Sequence, residues 1–223
     1  MSTPLIVTID GPAGAGKSTV AREVARRLGL RYLDTGAMYR AVAWKARRLG
    51  LSDPRDVARM IAGTRIDVRE DGRVFCDGQD VTLEIRSPEI TAAVRPIADA
   101  PECRAELVRM QREAGRGGGL VTEGRDQGSV VFPDAPHKFY LDASVEERAR
   151  RRWRELGGDF DEIRRAIERR DAEDRARPVG ALVCPPGARV IDTSALTVEE
   201  VVDRILAAVG PGSCAGGGRS AGC

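Results

Sequence analysis

GPAGAGKST, Gly11 to Thr19, separates a β-branched run, Leu5-Ile-Val-Thr-Ile9, from a stretch with apolar residues at Val20, Val24 and Leu28. The first run reads as a buried strand and the second as a helix closed by Gly29. The glycines and the lysine therefore fall on a strand-to-helix turn. Gly11-x-x-x-x-Gly16-Lys17-Ser18 matches the phosphate-loop pattern at every fixed position and in that context. Its glycines let successive backbone N–H groups point inward as an anion nest, and the helix starting near Lys17 adds the positive end of its dipole. Gly11, Pro12, Ala13, Gly14, Ala15, Gly16, Lys17, Ser18 and Thr19 are thus expected to hold a nucleoside triphosphate. Lys17 is expected on the β- and γ-phosphates, and the Ser18 hydroxyl on Mg²⁺.

Further along, Arg31 to Leu33 reads as a second strand and Gly36 to Leu49 as a helix closed by Gly50. Asp53-Pro54 opens a third helix with Asp53 as its N-cap. From Ile66 to Val81 the pattern alternates, with turns at Asp71-Gly72 and Asp77-Gly78, which predicts two or three small antiparallel strands. Residues 63–97 are therefore expected as an inserted lobe. Pro101 to Ala114 returns to helix. Leu120 to Glu123 and Lys138 to Leu141 read as core strands, and Val145 to Glu155 and Phe160 to Arg175 as helices. Arg189 to Asp192 is a last strand and Val198 to Val209 a last helix. Strands alternating with helices predict an α/β domain, a mainly parallel sheet covered on both faces. The core is expected over 1–62 and 98–210, and the Gly/Ser-rich tail, 211–223, is expected to be disordered.

The 223 residues are enough for a core with one insertion, and the formal charge is +2. No apolar run approaches the roughly 20 residues of a bilayer span, and the N-terminus does not read as a signal peptide. Five scattered cysteines without a C-x-x-C pair predict reduced thiols and a cytoplasmic location, and no zinc site. His137 is the only histidine, which excludes histidine triads and histidine-rich metal sites. Near-zero net charge and 4% aromatics argue against nucleic acid as a partner. Of the 36 basic residues three are lysine (Lys17, Lys45 and Lys138) and the rest arginine. A GC-rich coding sequence explains most of them, but a guanidinium fork also matches phosphate oxygens bidentately.

A phosphate loop alone does not say what attacks the donor. The guanine-reading N-K-x-D stretch and the D-x-x-G switch of GTPases are both missing from the chain. A hydroxyl acceptor normally wants a general base, and the lone histidine, at a strand start, reads as structural. A phosphate monoester needs none, because its second pKa is about 6. What it needs is neutralisation, so arginines from several segments should converge. Arg40 follows the second strand and Arg125 the strand ending at Glu123, at the carboxyl ends where open α/β sheets bind ligands. Arg170, Asp174 and Arg177 are spaced as one helix face, for which an exposed salt-bridged surface is the plainer reading. Arg148, Arg150, Arg151, Arg152 and Arg154 form a dense run, most of it expected in solvent, with one or two residues over the donor phosphates.

These segments together resemble bacterial cytidylate kinase, a nucleoside monophosphate kinase family, from Leu5 to about Val209. The resemblance is carried by IDGPAGAGKST (Ile9–Thr19), LDTGAMYR (Leu33–Arg40), EGRDQGSVVFPDA (Glu123–Ala135), FYLDAS (Phe139–Ser144) and RDAEDRARP (Arg170–Pro178). It implies a P-loop NTPase fold in which residues 63–97 belong to a monophosphate-binding lobe and about 148–160 form a helical lid. ATP and CMP or dCMP would be the substrates, with magnesium, and the chain would act as a monomer. By the same resemblance Thr35, Arg104 and Asp126 lie near the cytosine. Arg40, Arg125 and Arg177 clamp the acceptor phosphate, and Arg170 and Asp174 meet the sugar. Arg151 would be a mobile arginine over the phosphates, so Lys17, Arg125, Arg151 and Arg177 are the expected catalytic groups. The chain departs from the pattern at Arg95, where the family usually has a serine near the base. A shikimate-kinase-like enzyme is the nearest rival, but Gly117-Gly118-Gly119 precedes a strand here instead of following one, and Asp34-Thr35-Gly36 lacks the second aspartate of a D-x-D.

Overall fold

The computed structural model describes residues 4–69 and 71–210. The tail expected to be disordered, 211–223, lies outside the described residues.

The phosphate loop joins β1 (Ile6–Asp10) to α1 (Lys17–Leu28), which Gly29 ends with φ 63°. β2 (Arg31–Asp34) runs straight into α2 (Thr35–Arg48), whose N-terminus is capped by the Asp34 carboxylate accepting from Ala37 N at 2.8 Å. α3 (Pro54–Ala62) has the expected Asp53 cap. A three-stranded antiparallel sheet follows: β3 (Ile66–Val68), β4 (Val74–Cys76) and β5 (Gln79–Asp80). Next come α4 (Pro88–Asp99), α5 (Pro101–Arg116) and β6 (Leu120–Gly124). A π-turn over Gln127–Val131 leads to β7 (His137–Asp142). α6 (Val145–Leu156), α7 (Phe160–Arg175), β8 (Arg189–Asp192) and α8 (Val198–Val209) complete the chain.

The main sheet has the order β2-β6-β1-β7-β8, with every pair parallel. Asp34 stands opposite Glu123, Asp10 opposite Gly124 and Tyr140, and Asp142 opposite Asp192, so the strands end together. Chain order reverses at β1: β2 and β6 lie on one side of it, β7 and β8 on the other. A crevice opens beyond the strand ends at such a reversal, and here the phosphate loop lies in it.

Helices cover both faces. On one, Val20, Val24 and Leu28 of α1 and Val201 and Ile205 of α8 pack on Ile9, Val121 and Leu141. On the other, Met38 and Val42 of α2 and Leu107 of α5 form one core with Ile61, Val74, Ile85 and Ile97. The small sheet and α3 and α4 thus share a core with two of the helices that cover the main sheet. Each fully buried side chain of this size contributes about 1.5–3 kcal/mol. The helix over 88–99 is one that the alternating pattern before it did not reveal.

Candidate active site

Backbone conformation makes the loop. Gly14 and Gly16 have φ of 79° and 86°, left-handed values that side chains resist. A Cβ on Gly11 would overlap the Leu141 carbonyl. Lys17 is buried, and its Nζ donates to Pro12 O at 2.7 Å, bending the side chain back over the loop. Burial, then the positive charge of Arg125, holds its amine below the ordinary lysine value. The Ser18 hydroxyl donates to Glu123 Oε1 at 2.5 Å. Burial, then the charge of Asp34, pushes the Glu123 carboxyl up.

Beside the loop lies a cleft of about 240 Å³ lined by Lys17, Ser18, Thr35, Arg40, Arg104, Arg125, Asp126, Arg170, Asp174 and Arg177. α2, α5, the end of β6 and α7 with the residue pair after it bring these side chains together. Carboxylates partner most of the arginines. Arg125 Nε donates to Asp174 Oδ2 at 2.8 Å, and Arg177 pairs with Asp174 Oδ1 at 2.7 Å and Asp99 Oδ1 at 3.2 Å. Arg104 pairs with Asp126, both buried, and also donates to the Tyr39 hydroxyl at 3.2 Å. Arg40 reaches Asp34 at 3.4 Å. Thr35 Oγ1 donates to the Glu123 carbonyl at 2.7 Å. Burial raises the Asp174 carboxyl, but Arg125 and Arg177 outweigh it and leave the group below its ordinary value. Arg170, on the exposed side of α7 yet lining the cleft with Arg125, is pushed down to about 10, by desolvation first and then by the charge of Arg125. A cleft so rich in guanidinium attracts an anion with several oxygens.

Two readings of the sequence need correction. Arg177 is not on the helix face of Arg170 and Asp174: α7 stops at Arg175, because Pro178 disfavours helical backbone in the residue before it. It still reaches Asp174, from the turn beyond the helix. Nor is the trio a wholly exposed salt-bridged face: Asp174 is buried and Arg177 half-buried, and although Arg170 is exposed all three line the cleft. In the arginine run Arg150, Arg152 and Arg154 are exposed, whereas Arg148 is buried and donates to the loop carbonyl of Ala13 at 3.1 Å.

Arg151 lies outside the acceptor cleft. It lines an adjoining groove of about 640 Å³ with Gly16, Lys17, Ser18 and Thr19, and bonds Thr193 and Glu147. Arg152 borders both spaces. Sequence reasoning missed Glu123, Tyr39 and Arg152 as lining residues. Glu123 carried a signal, an acid at the end of a core strand, and Tyr39 stands one turn after Thr35. His137 opens β7, at the opposite end of the sheet from the loop.

A parallel sheet in this strand order, with a phosphate loop after its central strand and an arginine-lined cleft beside it, defines a P-loop phosphotransferase. The family model described as cytidylate kinase matches residues 7–210. The chain is 49% identical over 215 residues to a cytidylate kinase of Desulfitobacterium hafniense, covering 92% of this chain and 93% of the other. It is likewise 49% identical over 217 residues to one of Pelotomaculum thermopropionicum, covering 92% and 96%. The chain belongs to the cytidylate kinase family and is an ATP-dependent nucleoside monophosphate kinase. Solved structures share the fold at lower identity: an uncharacterized protein of Eubacterium ventriosum at TM-score 0.55 and 14% identity, covering 92% of this chain and 98% of that one. A Thermus thermophilus protein matches at TM-score 0.51 and 21% identity, covering 94% and 100%.

Proposed function

We propose that the acceptor is CMP or dCMP, converted to CDP or dCDP while ATP becomes ADP. The observation that carries this is the convergence of Arg40, Arg125, Arg170 and Arg177 on one cleft against the phosphate loop, with the only histidine at the far end of the sheet. An acceptor phosphate brings its own nucleophile. One of its oxygens attacks the γ-phosphorus in line, the bond from that phosphorus to the β–γ bridging oxygen breaks, and ADP leaves with the electron pair. Gly11 to Thr19 hold the donor, and Lys17 meets its phosphates. Arg40, Arg125 and Arg177 take the acceptor phosphate and offset the repulsion between two polyanions. Arg170 and Asp174 hold the sugar. Thr35, Arg104 and Asp126 face the base.

The pair Ser18 Oγ and Glu123 fits magnesium, since a nucleotide-bound ion takes one or two hard oxygen ligands from protein and the rest from phosphates and water. Bound there, the ion would neutralise charge on the β- and γ-oxygens. Residues 63–97 are the acceptor lobe in this reading and 148–160 the lid, with Arg151 above the donor. Closure keeps water from the γ-phosphorus. Incubating the protein with ATP, magnesium and each of CMP, dCMP, UMP, AMP, GMP and shikimate, with Lys17→Ala as control, tests the proposal by ADP release. Turnover is expected with CMP and dCMP; none with any pyrimidine monophosphate overturns it.

A further inference from the structure

Asp10 has no part in the roles above, yet its carboxylate is fully buried at the end of β1, one residue before the phosphate loop. Its oxygens accept from two consecutive main-chain amides, Gln127 N at 2.8 Å and Gly128 N at 2.7 Å. Those amides follow directly on Arg125 and Asp126, which face the cleft. The same turn is held elsewhere too. Gln127 Oε1 accepts from Thr122 Oγ1 at 2.9 Å, and its Nε2 donates to Gln111 Oε1 at 3.1 Å, with all three side chains buried. Gly128 sits hard against β1: an added Cβ would lie 2.8 Å from Thr8 Oγ1 and 3.0 Å from Pro185 Cγ.

We propose that Asp10 is a positioning residue for the acceptor. By tying the amides of residues 127 and 128 to the end of β1, it sets the distance between the donor loop and the Arg125–Asp126 pair. The inference rests on the reading that Arg125 and Asp126 meet the acceptor. Charge-assisted bonds to two adjacent amides fix a peptide in both position and tilt. Asn in place of Asp keeps the volume but sets an NH₂ against one of the two N–H donors, so the turn must move. The loop holds the donor with its own backbone and Lys17, none of which hangs on residues 127 or 128. The charge of Asp10 also acts on Lys17, but less than burial, Arg125, Glu123 or Arg170 do, so the disturbance falls mainly on the acceptor side.

The test is steady-state kinetics of Asp10→Asn, with ATP and CMP varied separately and UMP as a second acceptor. KM for CMP is expected to rise roughly tenfold or more with KM for ATP within about threefold, and the CMP-over-UMP ratio of kcat/KM to fall by roughly fivefold or more. Gly128→Ala leaves Asp10 intact but pushes the same turn off β1, so it is expected to show the same split and carries the test if Asp10→Asn fails to fold. A merely structural role would lower the melting temperature and the active fraction, which scales kcat but moves neither ratio. KM for CMP unchanged in the variants, or KM for ATP rising as much, overturns the inference. Wild-type protein that phosphorylates no pyrimidine monophosphate instead removes the reading beneath it.

Discussion

Arg148 and Asp171 form an ion pair 2.6 Å apart with side chains only 3% and 2% exposed. Arg148 also donates to Ala143 O at 2.9 Å and Ala13 O at 3.1 Å. One guanidinium thus ties the phosphate loop and the end of β7 to α7, one residue from Arg170 and three from Asp174. Neither oxygen of Asp171 receives an aligned hydrogen bond, so charge holds the pair. Removing one partner strands the other in a dry interior. Asp171→Ala is expected to destabilise the protein by about 3–5 kcal/mol. The double variant Arg148→Met/Asp171→Leu should recover much of that, because no buried charge remains. Urea unfolding of the three proteins checks this. A single-variant loss no larger than that of an exposed pair would show that the pair does not anchor α7.

Arg177 and Arg150 give a sharper comparison, since both are arginines with carboxylate partners. Arg150 pairs with Glu146 and Glu147 on the exposed side of α6. Arg177 points into the cleft between Asp174 and Asp99. Losing a donor aimed at charge that develops in the transition state lowers turnover by about 10²–10³-fold. Arg177→Ala is expected to lower kcat/KM for CMP on that scale, and Arg150→Ala by less than about twofold. Equal effects in the ADP-release assay would mean that Arg177 does not clamp the acceptor.

The loop and the order of strands and helices were legible because local rules and the fold agree there: a β-branched run, then glycines, then a helical apolar spacing. Where they conflict, reading fails. Ser87 and Pro88 are helix-start signals, and Ser87 does cap Ile90 N at 3.3 Å, but they follow a strand-like alternation and Pro96 lies inside the helix, where proline is unfavourable. The spacing of Arg170, Asp174 and Arg177 takes the helix for granted as far as Arg177, the residue that precedes Pro178. Periodicity could not say which arginine of the run 148–154 turns inward. Partners remote in sequence, Ala13 and Asp171, settle that. The cleft residues were legible as types, a surplus of arginine at strand ends. Their mutual pairing was not, because Asp174 takes Arg125 from one side and Arg177 from the other only once the fold brings α7 beside the residue that follows β6.

Lys17 gives a proton-linked prediction. Burial and Arg125 hold its amine below the ordinary value of 10.5. Bound triphosphate favours the charged form and draws the pKa back up. In the window between the lowered value and 10.5, binding therefore takes up a proton, and affinity for ATP weakens as pH rises through it. Calorimetry at pH 8 in two buffers of different ionisation enthalpy is expected to show this uptake, and Lys17→Met to abolish it. Identical buffer dependence in the two proteins would mean that the amine is already charged before the nucleotide arrives.

Arg95 departs from the serine that the resemblance to cytidylate kinase implies near the base, and it is not among the residues that line the cleft. It pairs with Glu173 Oε1 at 2.5 Å and Asp99 Oδ2 at 3.4 Å, and its side chain is 57% exposed. Val94 and Ala98 of the same helix line the cleft instead. Base selection should then be indifferent to residue 95 and sensitive to the buried Arg104–Asp126 pair. Arg95→Ser is expected to change the CMP-over-UMP ratio of kcat/KM by less than about twofold, the scale of an exposed ion pair. Asp126→Asn, which weakens a charge-assisted bond inside the site, should lower that ratio by roughly tenfold or more. Competition assays with both nucleotides present measure the ratio directly. Arg95→Ser moving it as far as Asp126→Asn does would mean that residue 95 reaches the base during turnover, with α4 rotated from the position in which Arg95 meets Glu173.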